Sequence, residues 1–286
     1  MLRSGSSAFD ALEIGDRLGK YRLERVLGEG GMGVVFEAVR ESDGQTVALK
    51  VLKSELAHDD VYKRRLAHEA RAASEVLHKH LVPVIEAGEA NGHHFLAMGY
   101  VRGRSLKDRI SAEGPLALEE IPRLVAGVGA GLDALHAAGL VHRDVKPANI
   151  MLDEHDIAML TDLGLARGRA YTVLTKPGQV MGTLDYIAPE LIKGEQASPA
   201  SDIYALGCTV FECIAGTPPF ASKGTFEVAV AHLEEEPPDP CAGRPDLPAS
   251  LSWAVLQALQ KDTAMRPPSA TAYARGVQVA ATQIDA

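Results

Sequence analysis

Three residues in one short stretch could move a phosphoryl group. Asp144, Lys146 and Asn149 lie within HRDVKPAN, residues 142–149. Asp144 and Asn149 stand five positions apart, so a bent loop can aim the carboxylate at an incoming hydroxyl while the amide oxygen faces a metal held by nucleotide phosphates. Lys146 supplies positive charge that could neutralise the group in transit between donor and acceptor oxygens, where positioning and electrostatics carry most of the catalysis. Pro147 stiffens the turn and argues against helix. Alone, the stretch also reads as an ordinary polar loop before the apolar run Ile150, Met151, Leu152. It carries chemistry only if a nucleotide loop, a phosphate-binding lysine and a metal-binding aspartate accompany it in the right order.

Upstream, GEGGMGVV places Gly28, Gly30 and Gly33 in the pattern GxGxxGxV, ending at Val35. Glycines let the backbone approach phosphate oxygens, to which its amides can donate. Tyr21 to Val26 and Val34 to Arg40 both alternate polar and apolar residues, so the glycines join two strands. A dinucleotide fold would need a helix there, and no Gly-Lys followed by Ser or Thr makes a Walker loop. The next strand carries VALK and ends at Lys50. A helix follows over YKRRLAHEARAASEVL, and then Asn91-Gly92 sets a tight hairpin turn into HHFLAM, a buried strand ending at Met98. His93 and His94 read as hairpin residues, with no third ligand at metal spacing.

From Leu106 the pattern turns helical. Pro115 breaks it, and a long helix through LEEIPRLVAGVGAGLDALHAAG stops at Gly139 and delivers the HRDVKPAN loop. A turn at Asp153 to Asp156 leads through IAML into DLG at Asp162. SDIYALGCTVFECIAG reads as a buried helix whose Asp202 can cap backbone amides. The acidic, proline-rich run EEEPPDPCAGRPDLP reads as a solvated loop, and Trp253 as a core residue of a further helix.

Together HRDVKPAN, DLGLA, GTLDYIAPE and SDIYALG, with the glycine hairpin and VALK, resemble a protein kinase, most closely the bacterial Hanks-type (eukaryotic-like) serine/threonine protein kinases. The resemblance spans about residues 16–280 and implies an α+β, bilobal fold. A tail over 1–15 would precede a β-rich N-lobe over 16–98, a hinge over 99–103, a mainly helical C-lobe over 104–280 and a tail over 281–286.

The resemblance implies transfer of the γ-phosphoryl group of ATP to protein serine or threonine, with magnesium or manganese. Leu27, Gly28, Glu29, Gly30, Gly31, Met32 and Gly33 would cover the phosphates, and Lys50, paired with Glu69, would orient them. Met98 would stand behind the adenine, Gly99 and Val101 would bond its edge through their backbones, and Val35, Ala48 and Met151 would flank the ring. Asp144 would align the acceptor hydroxyl, Asn149 and Asp162 would hold the metal, and Thr183 would bond Asp144 and Lys146. Leu163 stands where phenylalanine is commoner. Asp202 would brace the catalytic loop, and Arg266 would pair with Glu190.

Thr175, with Thr172 as a second hydroxyl, is the expected activating phosphorylation site, read by Arg143 with Arg167 and Arg169 and modified by another copy of the chain. Pro177 occupies the place of a second threonine. A pseudokinase scaffold would lack Lys50, Asp144, Asn149 or Asp162, all present, and a small-molecule kinase would lack the APE segment.

A formal charge of −9 argues against nucleic acid or an anionic membrane as partner. With 46% hydrophobic residues among 286, the chain can bury a large core. Three cysteines without CxxC spacing fit a reducing compartment and neither a disulfide framework nor a zinc site. No stretch approaches the roughly 20 apolar residues of a membrane span. The expected location is cytoplasmic, alone or as the intracellular part of a longer membrane-anchored protein.

Overall fold

The structure is a computed structural model that describes residues 12–30, 33–53, 60–164 and 184–283. The chain divides into two compact units, one of Met1–Leu77 and Val82–Val101, the other of His78–Leu81 and Arg102–Ala286.

The first unit is a six-stranded antiparallel sheet with one described helix. Its strands are β1 (Arg17–Leu18), β2 (Tyr21–Gly30), β3 (Gly33–Arg40), β4 (Gln45–Leu52), β5 (Val84–Ala90) and β6 (His93–Gly99), in the order β1-β2-β3-β4-β6-β5. Alternate residues of a strand point to opposite faces. Val34, Phe36 and Ala38 of β3, Val47, Leu49 and Val51 of β4, and Phe95 and Ala97 of β6 therefore share one buried face, joined by Tyr21 and Leu23. Val35, Ala48 and Lys50 fall on the other face. Asn91 at φ 52° and Gly92 at φ 77° give the left-handed pair that a two-residue hairpin turn requires. Helix α1 (Asp60–Ser74) precedes β5.

The second unit is mainly helical. It contains α2 (Leu106–Glu113), α3 (Glu120–Ala137), α4 (Pro189–Ile192), α5 (Pro199–Ala215), α6 (Thr225–Glu234), α7 (Ala249–Ala258) and α8 (Ala270–Thr282). A small sheet, β7 (Gly103–Ser105), β8 (Ile150–Asp153) and β9 (Ala158–Leu160), lies beside α2 and α3. Helix α5 is buried without interruption from Ser201 to Ile214, the signature of a helix surrounded by protein on all sides. Gly139 at φ 73° follows α3, and Gly216 at φ 80° ends α5, each adopting the left-handed conformation that stops a helix at little cost.

His78–Leu81 joins the second unit through backbone and side chain. The His80 Nδ1–H donates to Ala158 O (2.7 Å), Leu160 N donates to His80 O (2.8 Å), and Leu81 bridges Leu160. Helix α3 makes room by omission. A Cβ on Gly127 would lie 2.8 Å from the His80 ring, and one on Gly131 would lie 2.9 Å from His80 O.

Two expectations are corrected. Trp253 is 66% exposed, because the buried residues of α7, Leu251, Ala254, Val255 and Ala258, form a stripe on its opposite side. Pro147 opens one turn of 3-10 helix, Pro147–Asn149, since proline at the first helical position gives up only an N–H that has no helical partner there.

Candidate active site

The loop after α3 is held by its own polar residues. Asn149 Nδ2 donates to Asp144 O (2.8 Å) and Asp144 Oδ2 (2.9 Å), while Lys146 Nζ lies 3.0 Å from the same Oδ2. The three residues thus come together as their spacing predicts. The turn Pro147–Asn149 closes the distance, with Asn149 N donating to Lys146 O (2.9 Å). Because the Asn149 amide nitrogen faces Asp144, its Oδ1 is the acceptor left to serve a cation.

His142 is fully buried and ties this loop to the segment before Asp162. Its Nε2–H donates to Thr161 O (3.1 Å), and its Nδ1 accepts from Asp144 N (3.3 Å). Both ring nitrogens are used by the neutral tautomer. Burial pushes the His142 pKa down, against the opposing charges of Asp202, Asp144 and Asp162. Two backbone bonds complete the seam, Thr161 N to Asn149 O (2.9 Å) and Gly164 N to His142 O (2.8 Å). Asn149 and Asp162 are hard oxygen donors of the kind magnesium takes, and the Thr161–Asn149 bond sets their backbones side by side. That donor set fits the ion.

Arg143, directly before Asp144, has φ 67°, and Asp162 has φ 56°. Non-glycine residues in this region cost of order 1–3 kcal/mol each and persist where the surroundings over-determine them. At Arg143 the surroundings are Asp202. Its Oδ1 accepts from Arg143 N (2.8 Å), and its Oδ2 accepts from His142 N (2.7 Å) and from His136 Nε2 (2.8 Å). Asp202 therefore does not cap α5, where Ser198 N donates to Ser201 Oγ (3.2 Å) instead. It braces the loop that carries Asp144, as the resemblance implies. His136, six residues before His142, was missed by sequence reasoning, although its place one turn from Asp133 on α3 marks a shared face.

Behind the loop, Glu190 and Arg266 form a two-pronged buried ion pair, and Ser201 Oγ adds a bond to Glu190 Oε1 (2.8 Å). Met151 lies on β8, paired with Ser105 and Met159.

In the first unit, Val35, Ala48, Lys50 and Met98 share the sheet face opposite its core. Val35 pairs with Lys50 across β3 and β4, and Ala48 pairs with Met98 across β4 and β6. Gly28 pairs with Val35, Glu29 with Val34 and Gly30 with Gly33, so the glycine stretch is a hairpin of two strands. Leu27, Gly28, Glu29 and Gly30 are exposed. A Cβ on Gly33 would lie 2.0 Å from Val51 O, so only glycine fits there. The Gly99 N–H donates to Pro83 O (2.9 Å), and Val101 is the last residue of the unit. Glu69 lies half-buried on α1. Gly31, Met32, Arg167, Arg169, Thr172, Thr175, Pro177 and Thr183 lie outside the described residues.

The sequence model of the family described as the protein kinase domain matches residues 21–268. The serine/threonine-protein kinase PknD of Mycobacterium tuberculosis (strain ATCC 25618 / H37Rv) is 37% identical over 255 residues, covering 89% of this chain and 38% of its own length. The serine/threonine-protein kinase PknE of the same strain is 38% identical over 248 residues, covering 87% of this chain and 44% of its own. The chain thus spans less than half the length of these curated relatives. The crystal structure of the M. tuberculosis PknI kinase domain superposes with a TM-score of 0.78 at 32% identity, covering 96% of this chain and 100% of that one.

Proposed function

The chain belongs to the protein kinase family, and on that premise we propose that it transfers the γ-phosphoryl group of ATP to serine or threonine hydroxyls of proteins. The observation that carries the reading is the Asp144 carboxylate, gripped by Lys146 and Asn149 on a loop whose backbone Asp202 fixes. Asp144 aligns the acceptor hydroxyl and takes its proton, and Lys146 stabilises charge on the passing phosphoryl group. Asn149 and Asp162 would hold magnesium, which would supply positive charge to neutralise the phosphate oxygens. Lys50, partnered by Glu69, orients the phosphates beneath the glycine hairpin.

Val35, Ala48 and Met98 on the sheet face of the first unit contact the adenine, and Met151 of the second unit is the further residue that the resemblance assigns to it. Because the Gly99 N–H is used by Pro83, the adenine contact from that residue falls to its carbonyl. On the resemblance, Thr183 is the residue that would bond Asp144 and Lys146 and shape the pocket beyond the acceptor. Activation follows phosphorylation of Thr175 by a second copy of the chain, the phosphate pairing with Arg143.

Incubation with γ-labelled ATP, magnesium and a generic protein acceptor tests the reading. Label on acceptor serine or threonine is expected. Label absent from both acceptor and kinase, in folded protein that still binds ATP, would overturn it.

A further inference from the structure

The chain reaches β1 through a pinned turn. Gly15 N donates to Leu23 O (2.8 Å) and Leu23 N donates to Asp16 O (2.9 Å), which fixes residues 15 and 16 to β2. Asp16 N donates to Glu13 O (3.1 Å), and Glu13 N donates to Asp16 Oδ2 (2.7 Å). Leu12, just before this turn, packs against the core of the sheet. The point from which residues 1–11 extend is thereby set.

That point is one wall of a groove of about 570 Å3. Leu12 and Ile14 line one side, and Val26, Val34 and Phe36 of the β2–β3 hairpin line the other. Val34 and Phe36 are buried, whereas Ile14 is 57% and Val26 50% exposed. Large apolar side chains gathered around one open groove mark a surface that something covers. Val26 pairs with Phe36 and Glu29 with Val34, and cross-strand partners share a face. The groove therefore runs along the back of the glycine hairpin, on the side away from Val35.

Reach and charge select what covers it. Phe9 is the one aromatic residue among 1–11 and stands three positions before Leu12, and three residues span at most about 10 Å. So short a tether holds the ring at the groove at an effective concentration in the millimolar range, ahead of a free partner. Glu13 and Glu29 also line the groove, and among the described residues neither carboxylate meets a cation. Their charge turns away nucleic acid and acidic lipid.

We propose that this groove is the seat of the chain's own residues 1–11, with the Phe9 ring between Ile14 and Val26, and that the seated segment braces the glycine hairpin from behind. The consequence for nucleotide binding rests on the kinase reading; the seating does not.

Cysteine cross-linking on the full chain tests the seat. In Phe9→Cys with Val26→Cys, mild oxidation should close an intramolecular disulfide, which needs Cα atoms within about 7 Å, with the same yield at every protein concentration. Phe9→Cys with Asp43→Cys, at the turn beyond the far end of β3, should not close. Hydrogen exchange tests the brace. In Phe9→Ala the amides paired across β2 and β3 between residues 26 and 36 should exchange about tenfold faster, the factor for returning one large apolar side chain to water. Phe9→Leu, which keeps apolar bulk, should retain most of the protection. KM for ATP should rise severalfold in Phe9→Ala with kcat little changed, the pattern of a lost binding contribution.

Failure of the first pair to close would overturn the seat. A disulfide that forms only between two chains and fades on dilution would do the same, by giving the groove to a second copy. Unchanged hairpin exchange in Phe9→Ala would overturn the brace. If the chain carrying Val26→Cys fails to fold, Ile14→Cys is read in its place. A wild type with no phosphotransfer sinks the kinase reading, whereas cross-linking and exchange still decide the seating.

Discussion

Arg266 and Glu190 meet through two parallel bonds of 2.8 Å each, with the arginine side chain wholly buried and the glutamate 6% exposed. The Arg266 guanidinium also stacks 4.8 Å from the centre of the Tyr204 ring. Removing one partner of such a pair strands the other charge, at about 3–5 kcal/mol. Arg266→Ala is therefore expected to lower stability by about that amount in urea unfolding, and more than Arg266→Met paired with Glu190→Leu. Equal losses for the single and double variants would remove the pair as the cause.

The same pair sets a pH dependence. Burial alone would raise the Glu190 pKa, but Arg266 and Ser201 hold it below the ordinary carboxylate range. A depressed pKa in the folded state contributes stability that is complete above the unfolded value, about 4.3, and lost as pH falls through the folded one. Wild type should lose stability steadily on acidification below about pH 5. Glu190→Gln should start less stable and show a flatter profile over that window.

Asp144→Asn is expected to fold normally, because asparagine still accepts from Asn149 Nδ2. Its kcat should fall by about two to four orders of magnitude, the span for losing a general base, with ATP affinity retained. Turnover near wild type would remove the catalytic role of this loop.

Lys50→Met preserves bulk on the sheet face opposite the core. Activity should collapse, while the melting temperature without ligand stays close to wild type. Outright unfolding would instead mark Lys50 as structural.

Thr175→Ala should lower kcat by about tenfold or more, the worth of one or two charge-assisted bonds to a phosphate. Mass spectrometry of protein incubated with MgATP should find phosphate on Thr175 in wild type and none in Asp144→Asn. Full activity in Thr175→Ala would refute the switch.

The Asp144, Lys146 and Asn149 cluster was legible in the sequence because one bent loop of eight residues makes it. The sheet was legible too, since β3 and β4 alternate cleanly and Asn91-Gly92 fixes a register. Asp133 and His136 were not, because their partners lie on α8 and α5, far along the chain. Asp202 is legible as an acceptor of backbone amides, but the amides it takes are those of His142 and Arg143 and not those of its own helix. Local spacing cannot tell a near amide from a distant one. Trp253 is the exception on its helix, because the apolar stripe of α7 through Leu251, Ala254, Val255 and Ala258 leaves it on the opposite, solvent-facing side.

The passage of His78–Leu81 into the second unit means that the chain passes between units three times, after Leu77, after Leu81 and after Val101. A fragment starting at Arg102 would lack part of its own interior, leaving the notch at Gly127 and Gly131 filled by solvent and β9 without its bridge at Leu160. Compact units are thus not units of exchange here. A chimera joined to a relative by one junction near Val101 would seat one parent's His80 against the other parent's α3, and would tolerate only a donor helix that is equally bare at both positions.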